Sequence, residues 1–354
     1  MLHEPFYNPL IPDEENYNTG PFGEFANGKV YKDEGEPQYN LLGHTLFLPF
    51  GIPAGPLPNA RFMKAALDKG FDIVTHKTVR TRVKVTHPWP NILPVMVEGD
   101  LTVGKMDEPI RAGSQYSEPL SITNSFGNPS RSPDVWQQGI AESVAHAGPG
   151  QIVIGSFEGT KWDGYTTEQY IQDWVLAARL LKEAGAHAVE ANFSCPNEGT
   201  TDLLCFDVDK VRLISEAIKN EIGNLPLLIK LAYFRDNNIL EKLVRTVGSV
   251  IDGISAINTI SVQVVNEQGT QALPGEGRQR AGVSGACITW AGLEMTRRLV
   301  ALREQYDLKF AIIGIGGIMT PQDYQEYRKA GADACQSAAG SIWNPFLAQE
   351  IKQS

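Results

Sequence analysis

Residues 187–195 read HAVEANFSC, followed by Pro196 and Asn197. The run begins apolar and closes on polar side chains, and the segment before it, TEQYIQDWVLAARLLKEAG (167–185), carries apolar residues at helical three-and-four spacing and stops at Gly185. This unit of helix and strand recurs along the chain. Short apolar runs occur at LPFGIPAG (48–55), DIVTHKT (72–78), QIVIGSF (151–157), PLLIKLA (226–232), GISAINTI (253–260), FAIIGIGG (310–317) and ACQSAAG (334–340), which with 187–195 makes eight. Helical patterns separate most of them, among them NARFMKAALDKG (59–70) and DVDKVRLISEAIKNEIG (207–223), with Gly after the helix at 70, 185, 223 and 331. Apolar strands alternating with helices imply a parallel sheet covered on its outer face, and eight such units predict an α/β fold, a closed (β/α)₈ barrel. An open doubly wound sheet fits less well, because its phosphate-type glycines should follow the first strand, whereas here they follow the seventh.

Two regions lie outside the repeat. Residues 1–45 are rich in Pro, Gly, Asn and acidic side chains and read as an irregular N-terminal arm, on the surface or across a partner subunit, leaving 46–354 as the barrel domain. About 70 residues (79–150) separate the second and third runs, with one helix candidate, SPDVWQQGIAESVAHAG. Loops of that length in a barrel serve as lids or interface elements.

The 354 residues, 42% hydrophobic, suffice for a full core, and the formal net charge of −10 gives no basic footprint for nucleic acid. The N-terminal residues show no basic-then-apolar leader pattern, and no run approaches the roughly 20 apolar residues of a membrane helix. A cytoplasmic protein without membrane contact is expected. The four cysteines, at 195, 205, 287 and 335, form neither a CxxC pair nor metal-type spacing, so reduced thiols and no metal are expected.

Barrel sites form at the C-terminal ends of the strands. There the second run carries Thr75-His76-Lys77-Thr78, the fourth Asn192-Phe193-Ser194-Cys195-Pro196-Asn197, the fifth Lys230 and the sixth Asn258-Thr259, while the long insertion adds Asn124-Ser125-Phe126-Gly127. A single lysine here reads equally well as a snorkelling side chain, and a single Asn more readily as a turn residue. Two lysines and four asparagines at equivalent positions point to a ligand, and each amide offers a donor and an acceptor suited to a planar imide or amide ring. Gly314-Ile315-Gly316-Gly317, before a helix start at Thr320, is the expected phosphate position, and Gly282-Val283-Ser284-Gly285 either adds donors or forms a turn. Free cysteines are usually small buried hydrophobes, but the polar neighbours of Cys195 suit a thiol presented to a ligand. The other three lack such neighbours.

ANFSCPN resembles the Asn-x-Ser-Cys-Pro-Asn motif of the class 1 dihydroorotate dehydrogenases, flavin mononucleotide (FMN) enzymes on a (β/α)₈ barrel, and the resemblance extends from about residue 46 onward. THKT, TNSFGNP, IKL, INTI, GVSG, IIGIGGI and GADACQSAAG follow the family's order. The resemblance implies oxidation of (S)-dihydroorotate to orotate in de novo pyrimidine synthesis. Cys195 would be the general base for the C5 proton, while hydride passes from C6 to flavin N5. It assigns Lys77, Asn124, Phe126, Gly127, Asn192, Asn197, Asn258 and Thr259 to the substrate. To the cofactor it assigns Ala54, Gly55, Lys77, Thr78, Asn124, Asn192, Lys230, Ser284, Gly285, Gly316, Gly317, Ser337 and Ala338. A homodimer is expected, with fumarate or a separate electron-transfer subunit as oxidant. Two positions depart from the pattern. Gln336-Ser337-Ala338-Ala339 lacks a threonine hydroxyl for the phosphate, and His87-Pro88-Trp89-Pro90-Asn91 ends in Asn where the family has an arginine that orders the active-site region. The alternatives are a flavin-dependent reductase of another pyrimidine, as in the related dihydropyrimidine dehydrogenase, and a non-redox barrel that binds a phosphorylated ligand.

Overall fold

The computed structural model describes residues 2–194 and 203–354. The eight runs become the parallel strands β1 (Phe50–Ile52), β2 (Ile73–Val79), β3 (Ile152–Phe157), β4 (Ala188–Asn192), β5 (Leu227–Leu231), β6 (Gly253–Ala256), β7 (Ala311–Ile315) and β8 (Ala334–Gln336). Each pairs with its neighbours in sequence, and β8 returns to β1 through Cys335↔Phe50 and Gln336↔Gly51, which closes the barrel and excludes the open sheet. The outer layer comprises α1 (Ala60–Asp68), α2 (Pro133–His146), α3 (Thr167–Glu183), α4 (Val208–Ile222), α5 (Asn237–Val247), α6 (Thr289–Gln305), α7 (Pro321–Lys329), α8 (Ala339–Trp343) and α9 (Leu347–Lys352). Helix starts follow local chemistry: Asn59 caps α1, and Thr166 with Gln169 and Thr320 with Asp323 form capping boxes.

Strand alternation sorts the barrel interior along its axis. Ile73, Ile152, Ile154, Ala188, Leu228, Ile313 and Ala334 pack into one interior cluster, joined by Leu41 and Leu46 of the N-terminal hairpin Tyr39–Leu41/His44–Leu46. Two residues further along several strands the same face turns polar. Gln336 donates to Thr75 Oγ1 at 2.9 Å, and Lys230 Nζ lies 3.7 Å from Glu190 Oε1. The apolar end is thus plugged by the hairpin and the polar end is left for chemistry.

The run at 253–260 is not one strand, since β6 ends at Ala256 and a second strand, Ile260–Val265, starts another sheet. That strand joins Arg280–Gly285, Ser121–Asn124, Ile92–Met96 and Ile110–Ala112 in a small closed five-stranded barrel over the C-terminal mouth. The β2–β3 insertion and the residues after β6 therefore form a single cap, in which Gly282 opposes Asn124 and Ser284 opposes Ile122. The N-terminal segment lies on its own barrel: Phe6 N–H donates to Ile342 O at 3.0 Å, and Phe6, Tyr7 and Phe25 are buried. Among the described residues no helix is long and apolar enough to cross a membrane.

Candidate active site

The strand ends and the cap enclose a cavity lined by Ala54 and Gly55 after β1, Lys77 and Thr78 of β2, Asn192 of β4, Lys230 of β5 and Asn258 and Thr259 after β6. The cap supplies Asn124, Phe126, Asn128 and Ser284, and Ala338 comes from the start of α8. An adjoining cleft is lined by Asn258, Ser284, Gly285, Gly316, Gly317, Ser337, Ala338 and Gly340. Every described site residue expected from sequence faces one of these spaces except Gly127, which packs against the His87 ring. A Cβ on Gly127 would lie 2.3 Å from His87 Nε2. Cys195 and Asn197 lie outside the described residues.

A break in the β2 alternation puts two adjacent side chains at the rim. The β2–β3 register shifts between His76 and Val79, and Thr78 Oγ1 meets Ser156 Oγ of β3 at 3.1 Å. Thr78 Oγ1 also accepts from Asn192 Nδ2 at 3.2 Å. Ser194 Oγ–H donates to Asn192 Oδ1 at 2.9 Å and accepts from Asn258 Nδ2 at 2.8 Å. Ser194 thereby fixes the two asparagine amides relative to each other, one peptide bond before Cys195.

Lys77 Nζ sits 3.9 Å above the centre of the Phe126 ring and 3.4 Å from Gly55 O. Burial pushes its pKa down, and the Asp13 carboxylate opposes that shift. Asp13 accepts from Tyr7 OH at 2.6 Å and Thr86 Oγ1 at 2.5 Å. Burial works to raise the Asp13 pKa, but Lys77, these two hydrogen bonds and Arg131 prevail and hold it below the usual carboxylate range. Tyr7 and Asp13 thus bring the N-terminal segment into the site wall. An apolar island in residues 5–12 is their only trace in the sequence.

At the cleft, small residues make the space. A Cβ on Gly285, where φ is +100°, would lie 2.3 Å from Leu120 O, and one on Gly317, where φ is +70°, 2.2 Å from Thr289 Oγ1. Ser337, which stands in the altered phosphate-end motif, donates its hydroxyl to Ile318 O at 2.5 Å, so that hydroxyl is committed within the protein. Asn91, in place of the family's arginine, is buried and donates to His87 O at 3.0 Å and Ser125 O at 3.2 Å. Cys205, Cys287 and Cys335 are free and buried. Burial pushes the Cys205 thiol up to about 12, and the other two also upward.

A family model described as dihydroorotate dehydrogenase matches residues 113–354. A dihydroorotate dehydrogenase of Dictyostelium discoideum is 32% identical over 361 residues, 99% of this chain and 97% of that protein. The catalytic subunit of a dihydroorotate dehydrogenase B (NAD(+)) from Maridesulfovibrio salexigens is 32% identical over 187 residues, 50% of this chain and 56% of its own. A dihydroorotate dehydrogenase (quinone) of Neisseria meningitidis is 29% identical over 323 residues, 88% of this chain and 84% of its own. With a relative matched along nearly its whole length and the family model covering three of the five cap strands and six of the eight barrel strands, the chain belongs to the dihydroorotate dehydrogenase family.

Proposed function

We propose that this protein oxidises (S)-dihydroorotate to orotate in pyrimidine synthesis as a class 1 member with FMN, acting in the cytoplasm as a homodimer. The observation that carries the reading is the convergence of Asn124, Asn192, Asn258, Lys77 and Lys230 from the cap and four strand ends on one cavity. Five side chains that donate hydrogen bonds, three of them amides that also accept, match the alternating donors and acceptors of a dihydropyrimidine ring and its carboxylate.

The residues present fit the cofactor. The cleft bordered by Gly285, Gly316, Gly317, Ser337 and Ala338 is walled largely by main chain, with Gly285 and Gly317 in positive-φ backbone where packing admits no Cβ, which suits a phosphate approached by backbone. Ala54, Gly55, Thr78 and Ser284 would border the ring system, and Lys77 and Lys230 would set positive charge near it. When bound, FMN supplies the two-electron acceptor for hydride leaving C6. On the protein side, Cys195 takes the C5 proton, and the asparagine amides, with Asn197 and Thr259, hold the ring in one orientation. Backbone N–H groups of Phe126 and Gly127 assist at the carboxylate. Completing C5–H and C6–H cleavage leaves the C5=C6 double bond of orotate.

Ser194→Ala should raise KM for dihydroorotate roughly tenfold with a smaller change in kcat, because two amides lose a shared partner while the base remains. Steady-state kinetics would reveal the split, and an unchanged KM would remove Ser194 from the site. The function is tested by orotate formation from dihydroorotate in the presence of fumarate, NAD⁺ with an electron-transfer subunit, or a soluble quinone. Orotate formed with fumarate alone would assign the oxidant. No orotate with any acceptor would overturn the reading.

A further inference from the structure

Arg278 lies in the cap segment between the strands Ile260–Val265 and Arg280–Gly285, and it is 1% exposed. Its guanidinium faces five oxygens, and none belongs to a carboxylate. Nε donates to Ser125 Oγ at 3.2 Å, Nη1 to Pro88 O at 2.7 Å and to Pro274 O, and Nη2 to Pro90 O at 3.2 Å and Ser125 O at 2.7 Å. Five N–H donors meet five acceptors, the full capacity of the side chain. Among the described residues no carboxylate pairs with this buried cation, a costly arrangement, and burial does depress the Arg278 pKa. The sequence of its acceptors explains what offsets that cost. His87-Pro88-Trp89-Pro90-Asn91 has two prolines, which donate no N–H, so beyond the Asn91 amide, which reaches His87 O at 3.0 Å and Pro88 O at 3.5 Å, its carbonyls draw their donors from elsewhere.

The same segment carries the substrate loop. His87 N–H donates to Phe126 O at 3.0 Å, Ser125 N–H to Asn91 O at 2.9 Å, and His87 Nδ1 lies 3.3 Å from Ser125 Oγ. Burial lowers the His87 pKa, and the neighbouring Arg278 and Lys84 charges lower it further. Ser125 is thus held from three sides, between Asn124 and Phe126.

We propose that Arg278 is a positioning residue for substrate binding: it clamps residues 88–90 to Ser125 and so sets the placement of the Asn124 amide and the Phe126 and Gly127 backbone. The site keeps a guanidinium although Asn91 stands in the arginine position of the family motif, because the cap insertion delivers one from elsewhere in the chain. This inference rests on the proposed substrate.

The test uses full-length FMN-loaded protein, Arg278→Met and Arg278→Lys, with orotate as the ligand. Displacing a binding loop by about 1 Å can cost on the order of 10²-fold. Arg278→Met should therefore weaken orotate binding by roughly 10- to 100-fold while FMN stays bound, and amide hydrogen exchange at residues 87–91 and 125–127 should accelerate in the ligand-free holoenzyme. Arg278→Lys, with three donors on a point charge, should fall between Met and the wild type, and it carries the test if the Met variant does not fold. Orotate affinity and exchange both unchanged in a folded variant would overturn the inference, as would loss of FMN in parallel with orotate. Wild-type protein that does not bind orotate would instead overturn the substrate assignment, and the exchange measurement would still report whether the clamp exists.

Discussion

Cys195→Ala should leave the flavin bound and slow its reduction by dihydroorotate by roughly 10²- to 10⁴-fold, the usual worth of a positioned general base. The assignment rests on chain position and on the other thiols. Ser194, the preceding residue, is bonded to two of the asparagines that border the cavity, Asn192 and Asn258. Beyond the segment, Cys205 N–H donates to Phe193 O at 2.9 Å, which ties the two described ends together at the rim. The three described cysteines are buried, and burial raises all three thiols, so none yields a thiolate readily near neutral pH. Stopped-flow absorbance of the variant under anaerobic conditions would read the effect directly, and an unchanged rate would remove Cys195 from the chemistry. Cys195→Ser should be less impaired than alanine only where a neighbour or water helps the weaker acid.

Lys77→Met should lower kcat/KM for dihydroorotate by roughly 10²- to 10³-fold, the range seen when a preorganised donor is removed from a site that stabilises developing charge. Lys77 is held over Phe126 and beside Gly55 O, with the Asp13 carboxylate supporting its charge against burial. Asp13→Asn therefore gives a more selective version of the test. The attraction that raises the Lys77 pKa is removed, the pKa falls further, and the ammonium is lost at lower pH. The basic limb of the kcat/KM profile should move to lower pH in Asp13→Asn and disappear in Lys77→Met. An identical basic limb in all three proteins would show that another group titrates there.

The barrel was legible because the strands are short apolar runs, several of them ending in polar residues, and the longer helices show three-and-four spacing, with Gly following α1, α3, α4 and α7. The cavity residues were legible for the same reason, since Lys77, Asn192 and Lys230 stand at or near the C-terminal ends of their strands and Asn258 two residues beyond one. The cap was not. Its strands come from two insertions, one of them, Ile92–Met96, contains Pro94, and Ser121–Asn124 finds its partner in Arg280–Gly285, far along the chain. Local pattern carries no record of such pairing, although the alternating burial of Ile260–Val265 echoes an ISVQVV alternation that could have marked a strand. Tyr7, Asp13 and Arg278 were missed because their roles come from tertiary placement. An arginine in a Gly- and Pro-bearing loop reads as solvated until Pro88 O, Pro90 O and Ser125 O are seen around it.

On this reading the cavity joins a flavin to a dihydropyrimidine carboxylate and lets electrons pass between them. Anaerobic titration of the FMN-loaded protein with dihydroorotate, followed by visible absorbance, tests it most directly. The flavin band should bleach, with orotate formed in equal amount. A yellow spectrum that persists through excess dihydroorotate would contradict it.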